Sequence, residues 1–330
     1  MFTLFKKVPG CVNLPVVFLH GRSFNLVTFG LFAALGSVAG YSVFLYFLYT
    51  KGFPVSSSCW RMVSFLVILN LLFAKFYTIL PIGITEYFRN FRYYMNQTSF
   101  YQQGGVVGFI LGTIFICAFE RIPFATLGDA VCYGGIATMF IGRLGCFNYG
   151  CCTGKPTFSR FGFIYLDPEA RVWRENPELR NVPLVPVQMI SALVDLVLFI
   201  SFCILSTRFP YSGVIMIIFF IGINIKRIAL QPLRYKAPSN KISYSWVALF
   251  LILVFFLIIL FAWRSGESLF SYDPPVIPFN FKTYAEFLVS DWNITGSLIL
   301  GGAINFAAYG IHGRKLGTYF NLTHDQTFTR

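Results

Sequence analysis

The sequence predicts an all-α polytopic membrane protein, and two observations support that prediction. Of its 330 residues, 56% are hydrophobic and only 12% are charged, whereas soluble domains carry about 25% charged residues. In addition, apolar windows of about 20 residues, the length that crosses the hydrocarbon core, recur along the chain. Seven windows predict seven transmembrane helices, and a weaker one predicts an eighth near the C-terminus.

The predicted helices follow one another with few interruptions. They cover residues 24–49, 62–84, 104–119, 124–147, 187–206, 210–231 and 242–263, and the weaker eighth covers 294–310. The third window is short, so it depends on its flanks to span the bilayer. The first 23 residues contain no apolar core followed by a small-residue cleavage site, and we therefore expect no removable signal peptide.

Two polar segments divide the chain. Residues 155–186 contain five basic and four acidic residues, which predicts a small ordered excursion outside the bilayer. Residues 264–292 include the stretch YDPPVIPFNF, whose prolines forbid a regular helix. We therefore predict a seven-helix membrane domain over residues 1–263 and a C-terminal extension over residues 264–330.

The net charge of +13 favours anionic lipid headgroups over nucleic acid as the partner, since each Lys or Arg near such a surface gains about 1 kcal/mol.

Charges inside the apolar windows are more informative, because each costs about 2.5–3.5 kcal/mol at a helix centre. They are Lys75, Asp129, Arg143, Asp195, Lys226 and Arg227. Asp129 and Arg143 are fourteen residues apart on one predicted helix, so they share a face and lie about 21 Å apart. They either line one side of a cavity or are each neutralised from another helix.

A second polar group lies in GINIKRIALQPLRYK. Arg227, Gln231 and Arg234 are spaced by four and three residues and share one helix face, and Pro232 predicts a kink or an end of that helix. Two guanidiniums on one face suit a phosphate, because each presents a planar fork of donors. The alternative is an ordinary basic helix end at the membrane surface.

Glycines and cysteines mark two further segments. Gly104, Gly108 and Gly112 repeat every four residues, which favours close helix packing, and Gln103 just before them can hydrogen-bond a ligand.

Cys146, Cys151 and Cys152 do not have a standard zinc spacing, so we predict no metal and no cofactor. These thiols either pack in a tight turn, form a disulfide, or react as a thiolate near Arg143.

The stretch DAVCYGGIATMFIGRLGCFNYGCCTGKPT resembles the signature region of the prolipoprotein diacylglyceryl transferase family. Gly142, Arg143, Gly145, Gly150 and Gly154 match its glycines and arginine, and Asp129 takes its upstream acidic position. GGVVGFILG and GINIKRIALQPLR are similar to its glycine-rich helix and its late arginine helix. The resemblance runs in order over about residues 14–263.

The resemblance implies transfer of diacylglycerol from phosphatidylglycerol, or another anionic phospholipid, to a cysteine of a lipoprotein precursor in the bacterial cytoplasmic membrane. It implies catalytic roles for Arg143, Asp129 and Arg234. The lipid phosphate would be bound by Arg143, Arg227, Arg234, Gln103 and Gln231. The site would be shaped by Gly142, Gly145, Gly154, Cys146, Cys151, Gly104 and Gly105.

Departures from the family pattern keep other functions open. Phe29, Gln103, Cys146, Cys151 and Gln231 stand where the family has groups that accept protons, carry charge or hydrogen-bond. A non-catalytic lipid-binding subunit, with a complex partner docked on the C-terminal extension, is one alternative, and an unrelated channel or transporter is another.

The positive-inside rule places the insertion at residues 155–186 in the cytoplasm, whereas the resemblance implies the outer side of the membrane, which we favour.

Overall fold

The computed structural model describes residues 13–19, 22–77, 83–91, 102–165, 170–208, 211–235 and 281–313. The described part is mainly helical. Its α-helices are α1 Thr28–Thr50, α2 Val55–Phe76, α3 Ile84–Arg89, α4 Gln102–Glu120, α5 Phe124–Tyr149, α6 Arg171–Glu175, α7 Val187–Arg208, α8 Val214–Leu230, α9 Phe281–Ser290 and α10 Trp292–Gly310. Short 3₁₀ turns cover Pro177–Leu179 and Gln231–Leu233, and the second contains Pro232, where a helix end was predicted.

Five helices of the described part are long and apolar enough to cross a membrane, which confirms the helical membrane architecture. They are α1, α2, α5, α7 and α8 with its following turn. Helices α9 and α10 meet at an angle of 91° and add a sixth if the pair forms one broken span. Helix α4 is apolar but shorter. The predicted helix at 242–263 lies outside the described residues, so the count of seven or eight stays a prediction.

Helix α5 packs closely against α1 and also contacts α7 and α8. A Cβ atom added to Gly134 would lie 2.5 Å from the carbonyl oxygen of Gly40, so the two backbones meet without side chains between them. Next to this crossing, the Thr138 hydroxyl donates to the Gly36 carbonyl at 3.1 Å. The close approach fixes α5 against α1 and so sets where its C-terminal end lies.

The predicted glycine stripe packs α4 against α2. Added Cβ atoms on Gly104 and Gly108 would lie 2.2 and 2.3 Å from the carbonyl oxygens of Phe73 and Leu69. The Asn70 amide donates to the Gly105 carbonyl at 3.1 Å. Gly104 and Gly105 therefore contact α2, and their predicted site-shaping role stays a prediction.

Helix α10 belongs to the same bundle, because it packs against α1 and α2. A Cβ atom on Gly30 would lie 2.2 Å from the Cα atom of Gly310, and Gly301 lies against Val63 and Tyr41. The division of the chain at residue 263 stays a prediction, but the C-terminal helix is not detached from the others.

A small antiparallel sheet, which the sequence did not predict, joins the two ends of the described chain. Strands β1 Asn13–Leu19 and β2 Arg22–Val27 pair directly, and β3 Ile311–Gly313 adds to the other edge of β2. Strands of three to seven residues are invisible to hydropathy windows of about 20 residues.

The insertion between α5 and α7 has a hydrophobic cluster of its own. Its buried members are Tyr165, Ala170, Val172, Leu179 and Leu184. Phe163 and Leu184 exchange backbone hydrogen bonds of 2.8 Å, so both ends of the insertion are tied together. This local core holds the segment that follows Arg143 in a defined shape.

Candidate functional site

The site begins where α5 ends, six residues after Arg143. Gly150 adopts the left-handed conformation that terminates many helices (φ 73°), and its N–H bonds to the carbonyl of Phe147. Cys152 is also left-handed (φ 56°), which is uncommon for a residue with a side chain. The chain therefore reverses, and the Sγ atoms of Cys146, Cys151 and Cys152 all lie within 4.8 Å of one another.

A backbone pair brings Arg234 to this turn. Gly154 forms an antiparallel bridge with Arg234, flanked by a hydrogen bond of 2.9 Å from the Lys155 N–H to the Leu233 carbonyl. Gly154 has no room for a side chain, since an added Cβ would lie 2.3 Å from the Val185 carbonyl oxygen. A glycine is thus sterically required at this turn, and the site-shaping role of Gly154 stays a prediction.

Two guanidinium groups act on the same thiol. Both Arg143 and Arg234 interact electrostatically with Cys152. Hydrogen bonds with Cys146 and Cys151, aided by these guanidiniums, lower the pKa of the Cys152 thiol well below its usual value. The pKa of Cys151 is raised because its hydrogen bonds to the neighbouring sulfurs, together with burial, favour the protonated form. The Cys152 thiol is therefore more acidic than that of Cys151, and two guanidinium groups interact electrostatically with it.

A buried ion pair lies next to Arg143. Lys226 of α8 donates to Asp195 of α7, and the two residues are 6% and 0% exposed. Both interact electrostatically with Arg143, and Lys226 also interacts with Arg234. Two cations, Lys226 and Arg143, thus act on the Asp195 carboxylate. The sequence analysis identified Asp195 and Lys226 only as charges in apolar windows and did not pair them. Their opposite charges in consecutive windows could have predicted the pair, because each buried charge needs a partner.

Several polar atoms around this group have no hydrogen-bond partner among the residues that the structure describes. They include the buried Ser191 Oγ, Asp195 Oδ2 and Arg234 Nε. Ser191 lies one turn before Asp195 on α7, so its hydroxyl and the carboxylate share a face. Buried polar groups are almost always hydrogen-bonded, so these atoms mark a place where a polar ligand would satisfy both donors and acceptors.

Asp129 lies near the other end of α5, where its carboxylate caps α8. The Gly213 N–H donates to Oδ2 at 2.8 Å and the Met216 N–H donates to Oδ1 at 2.7 Å. Gly213 precedes α8 and has no side chain to cap it, so a buried carboxylate takes that role and suits the positive helix end. Its catalytic role stays a prediction, and these contacts favour a structural role.

A sequence profile of the prolipoprotein diacylglyceryl transferases matches residues 15–263, which is most of the chain. The chain belongs to this family. It is 24% identical over 154 residues to the phosphatidylglycerol–prolipoprotein diacylglyceryl transferase of Clostridium tetani, covering 46% of this chain and 59% of that one. It is 29% identical over 148 residues to that of Rhodospirillum rubrum, covering 43% and 48%. The aligned chain thus spans only about half to three fifths of these curated relatives.

Positions that depart from the diacylglyceryl transferase pattern have packing partners here. Phe29 lies 5.7 Å from Tyr149, ring centre to ring centre, and it also lies against Gly145. Cys151 offers its backbone carbonyl to the buried Gln188 amide of α7 at 2.7 Å. These contacts fix the cysteine turn against α1 and α7.

The remaining predicted ligands differ in what the structure says of them. Gln231 is buried in the 3₁₀ turn after α8, and Arg227 is half-buried one residue after Lys226. The side chain of Gln103 lies outside the described part. Within the described ranges, no heavy atom lies within 4 Å of where a Cβ atom of Gly142, next to Arg143, would be. The phosphate-binding roles of Arg227, Gln231 and Gln103 stay predictions.

Proposed function

We propose that this protein transfers the diacylglyceryl group of phosphatidylglycerol to a cysteine thiol of a lipoprotein precursor, in the bacterial cytoplasmic membrane. One observation carries the proposal. Arg143 and Arg234 are far apart in sequence, but both interact electrostatically with the same residue, Cys152, in the turn after α5. Membership of the diacylglyceryl transferase family supports it, as do the relatives whose names state this activity.

The proposed reaction exchanges one bond for another at a glycerol carbon. The precursor cysteine, entering as its thiolate, attacks the diacylglycerol carbon that carries the phosphate oxygen. A C–S bond forms, the C–O bond breaks, and glycerol phosphate leaves with the electron pair. Arg143 and Arg234 would bind the phosphate and stabilise the charge that develops on its leaving oxygen.

The buried ion pair has a part in this proposal. Before lipid binds, Asp195 offsets the combined charge of Lys226 and Arg143, which would otherwise repel each other. The headgroup of phosphatidylglycerol ends in free hydroxyls, and these suit the unpartnered Ser191 Oγ and Asp195 Oδ2. This is a chemical reason for a glycerol headgroup over other anionic lipids.

The test is a transfer assay in nanodiscs of headgroup-labelled phosphatidylglycerol with a cysteine-bearing precursor peptide. The wild type should release labelled glycerol phosphate and add a diacylglyceryl mass to the peptide. Arg143→Ala and Arg234→Ala should each lower the rate by about 100-fold, the scale for loss of one group that stabilises a transition-state charge. Arg61→Ala is the matched control, since Arg61 pairs with Glu120 at an exposed position.

Two results would contradict the proposal. Full activity of Arg143→Ala would remove this guanidinium from the mechanism. A wild type that binds the lipid but transfers nothing, with a positive control enzyme active in the same discs, would favour a non-catalytic lipid-binding protein instead.

A further inference from the structure

The three cysteines after Arg143 converge in space in a way that their spacing in the sequence does not suggest. The left-handed Gly150 and Cys152 return the chain over the last turn of α5. The sulfur atoms of Cys146, Cys151 and Cys152 therefore lie within 4.8 Å of one another. The proposed transfer reaction makes no use of such a trio, because its phosphate ligands are arginines.

The sulfur separations suit a bound metal ion. Zinc–thiolate bonds are about 2.3 Å long, so three sulfurs on one ion lie about 3.8–4.0 Å apart in tetrahedral or trigonal geometry. The observed limit of 4.8 Å needs only small side-chain rotations to reach this spacing. The group contains three sulfurs and no carboxylate or imidazole, a donor set that selects Zn²⁺ or Cu⁺ over Mg²⁺ and Ca²⁺.

Charge and access also favour an ion here. Three thiolates around Zn²⁺ or Cu⁺ leave a negative complex, and Arg143 and Arg234 both interact electrostatically with Cys152, where they offset that charge. Cys152 is exposed whereas Cys146 and Cys151 are half-buried. An ion can therefore enter from the Cys152 side and complete its coordination against the other two.

We propose that Cys146, Cys151 and Cys152 form a binding site for one thiophilic ion, either Zn²⁺ completed by a water or Cu⁺ in trigonal coordination. Binding forms three metal–sulfur bonds and releases to solvent the protons that the three thiols still carry, and no electron is transferred. The sequence spacing predicted no metal, because it could not show that the left-handed turn brings the two later cysteines back to Cys146.

The test measures metal content and thiol protection, both independent of transfer activity. Full-length protein purified with a phosphine reductant is dialysed against Zn²⁺ alone, or against Cu⁺ without oxygen, and then alkylated and read by mass spectrometry. About one equivalent of one ion should bind, and the three cluster thiols should resist alkylation until a chelator removes the ion. This experiment needs no variant, so misfolding cannot confuse it.

Variants then locate the site. Cys152→Ser should weaken binding by about tenfold or more, since even loss of a group that only orients a ligand costs 10–100-fold. Cys203→Ser on α7, outside the cluster, is the matched control and should keep full binding. The proposal is overturned if the wild type binds neither ion, if two cluster cysteines form a disulfide after reducing purification, or if the triple serine variant keeps its metal.

Discussion

Gly154 and Arg234 form an antiparallel backbone bridge that ties the turn after α5 to the end of α8. The bridge fixes the main chain of Arg234, and so the position from which its guanidinium reaches the proposed phosphate site. A substitution at Gly154 therefore changes the position of Arg234 while the guanidinium group itself is retained.

Gly154→Ala should displace Arg234 and slow transfer. The added Cβ would lie 2.3 Å from the Val185 carbonyl oxygen, so one of the backbones must move, and a shift of about 1 Å can cost about 100-fold in rate. Steady-state kinetics in nanodiscs would measure this. Gly135→Ala, whose Cβ meets Phe219 at an ordinary 3.6 Å, should be tolerated; equal losses in both variants would refute the argument.

Gly142→Leu should raise KM for the lipid while leaving the melting temperature unchanged or higher. Among the described residues, no heavy atom lies within 4 Å of a Cβ at this position, so we expect the side chain to displace none of them, and replacing a helical glycine gains about 0.5–1 kcal/mol. Gly142 directly precedes Arg143 on α5, and we expect the bound lipid to pass this position. A variant with unchanged KM would show that the lipid does not use this space.

Asp129→Asn and Asp129→Ala separate a structural role from a catalytic one. Asp129→Ala leaves two N–H groups of the α8 start without their acceptor and should cost about 1–3 kcal/mol of unfolding free energy. Asp129→Asn keeps an acceptor and should retain most of the transfer rate. If the carboxylate were the base, Asp129→Asn would instead be stable and inactive, which thermal melts and kinetics together would reveal.

Breaking the buried pair should cost more than removing it. Lys226→Met leaves the Asp195 carboxylate buried without its partner and should destabilise the protein by about 3–5 kcal/mol. The double variant Lys226→Met with Asp195→Leu should recover most of that loss, because two apolar groups of similar volume avoid the desolvation penalty. Transfer should stay impaired in the double variant. Additive losses of stability would argue against direct coupling of the pair.

The sequence predicted those features that depend on one local stretch. The windows at 104–119 and 124–147 correspond to α4 and α5 within a few residues, because the ends of a long apolar run lie close to the ends of the helix it forms. Pro232 likewise predicted the end of α8. The sheet escaped notice because its strands are too short for a hydropathy window.

Relationships between distant stretches were harder to predict. The Asp195–Lys226 pair joins two helices, and residue spacing on either helix alone does not identify the partner. The same limit applies to Asp129: its spacing from Arg143 predicted a shared face, but not that the start of α8 lies against its carboxylate. Arg143 and Arg234 both interact electrostatically with Cys152, and a shared site for them was expected only through the resemblance to the family.

The seat of α10 on α1 has a consequence for biosynthesis. The face of α1 that includes Gly30 and Val38 is covered by α10, which is translated last among the described helices. Until that helix has been synthesised, this face of α1 has to contact lipid instead of α10. We therefore expect a chain shortened before residue 292 to be inserted but degraded faster than the full chain.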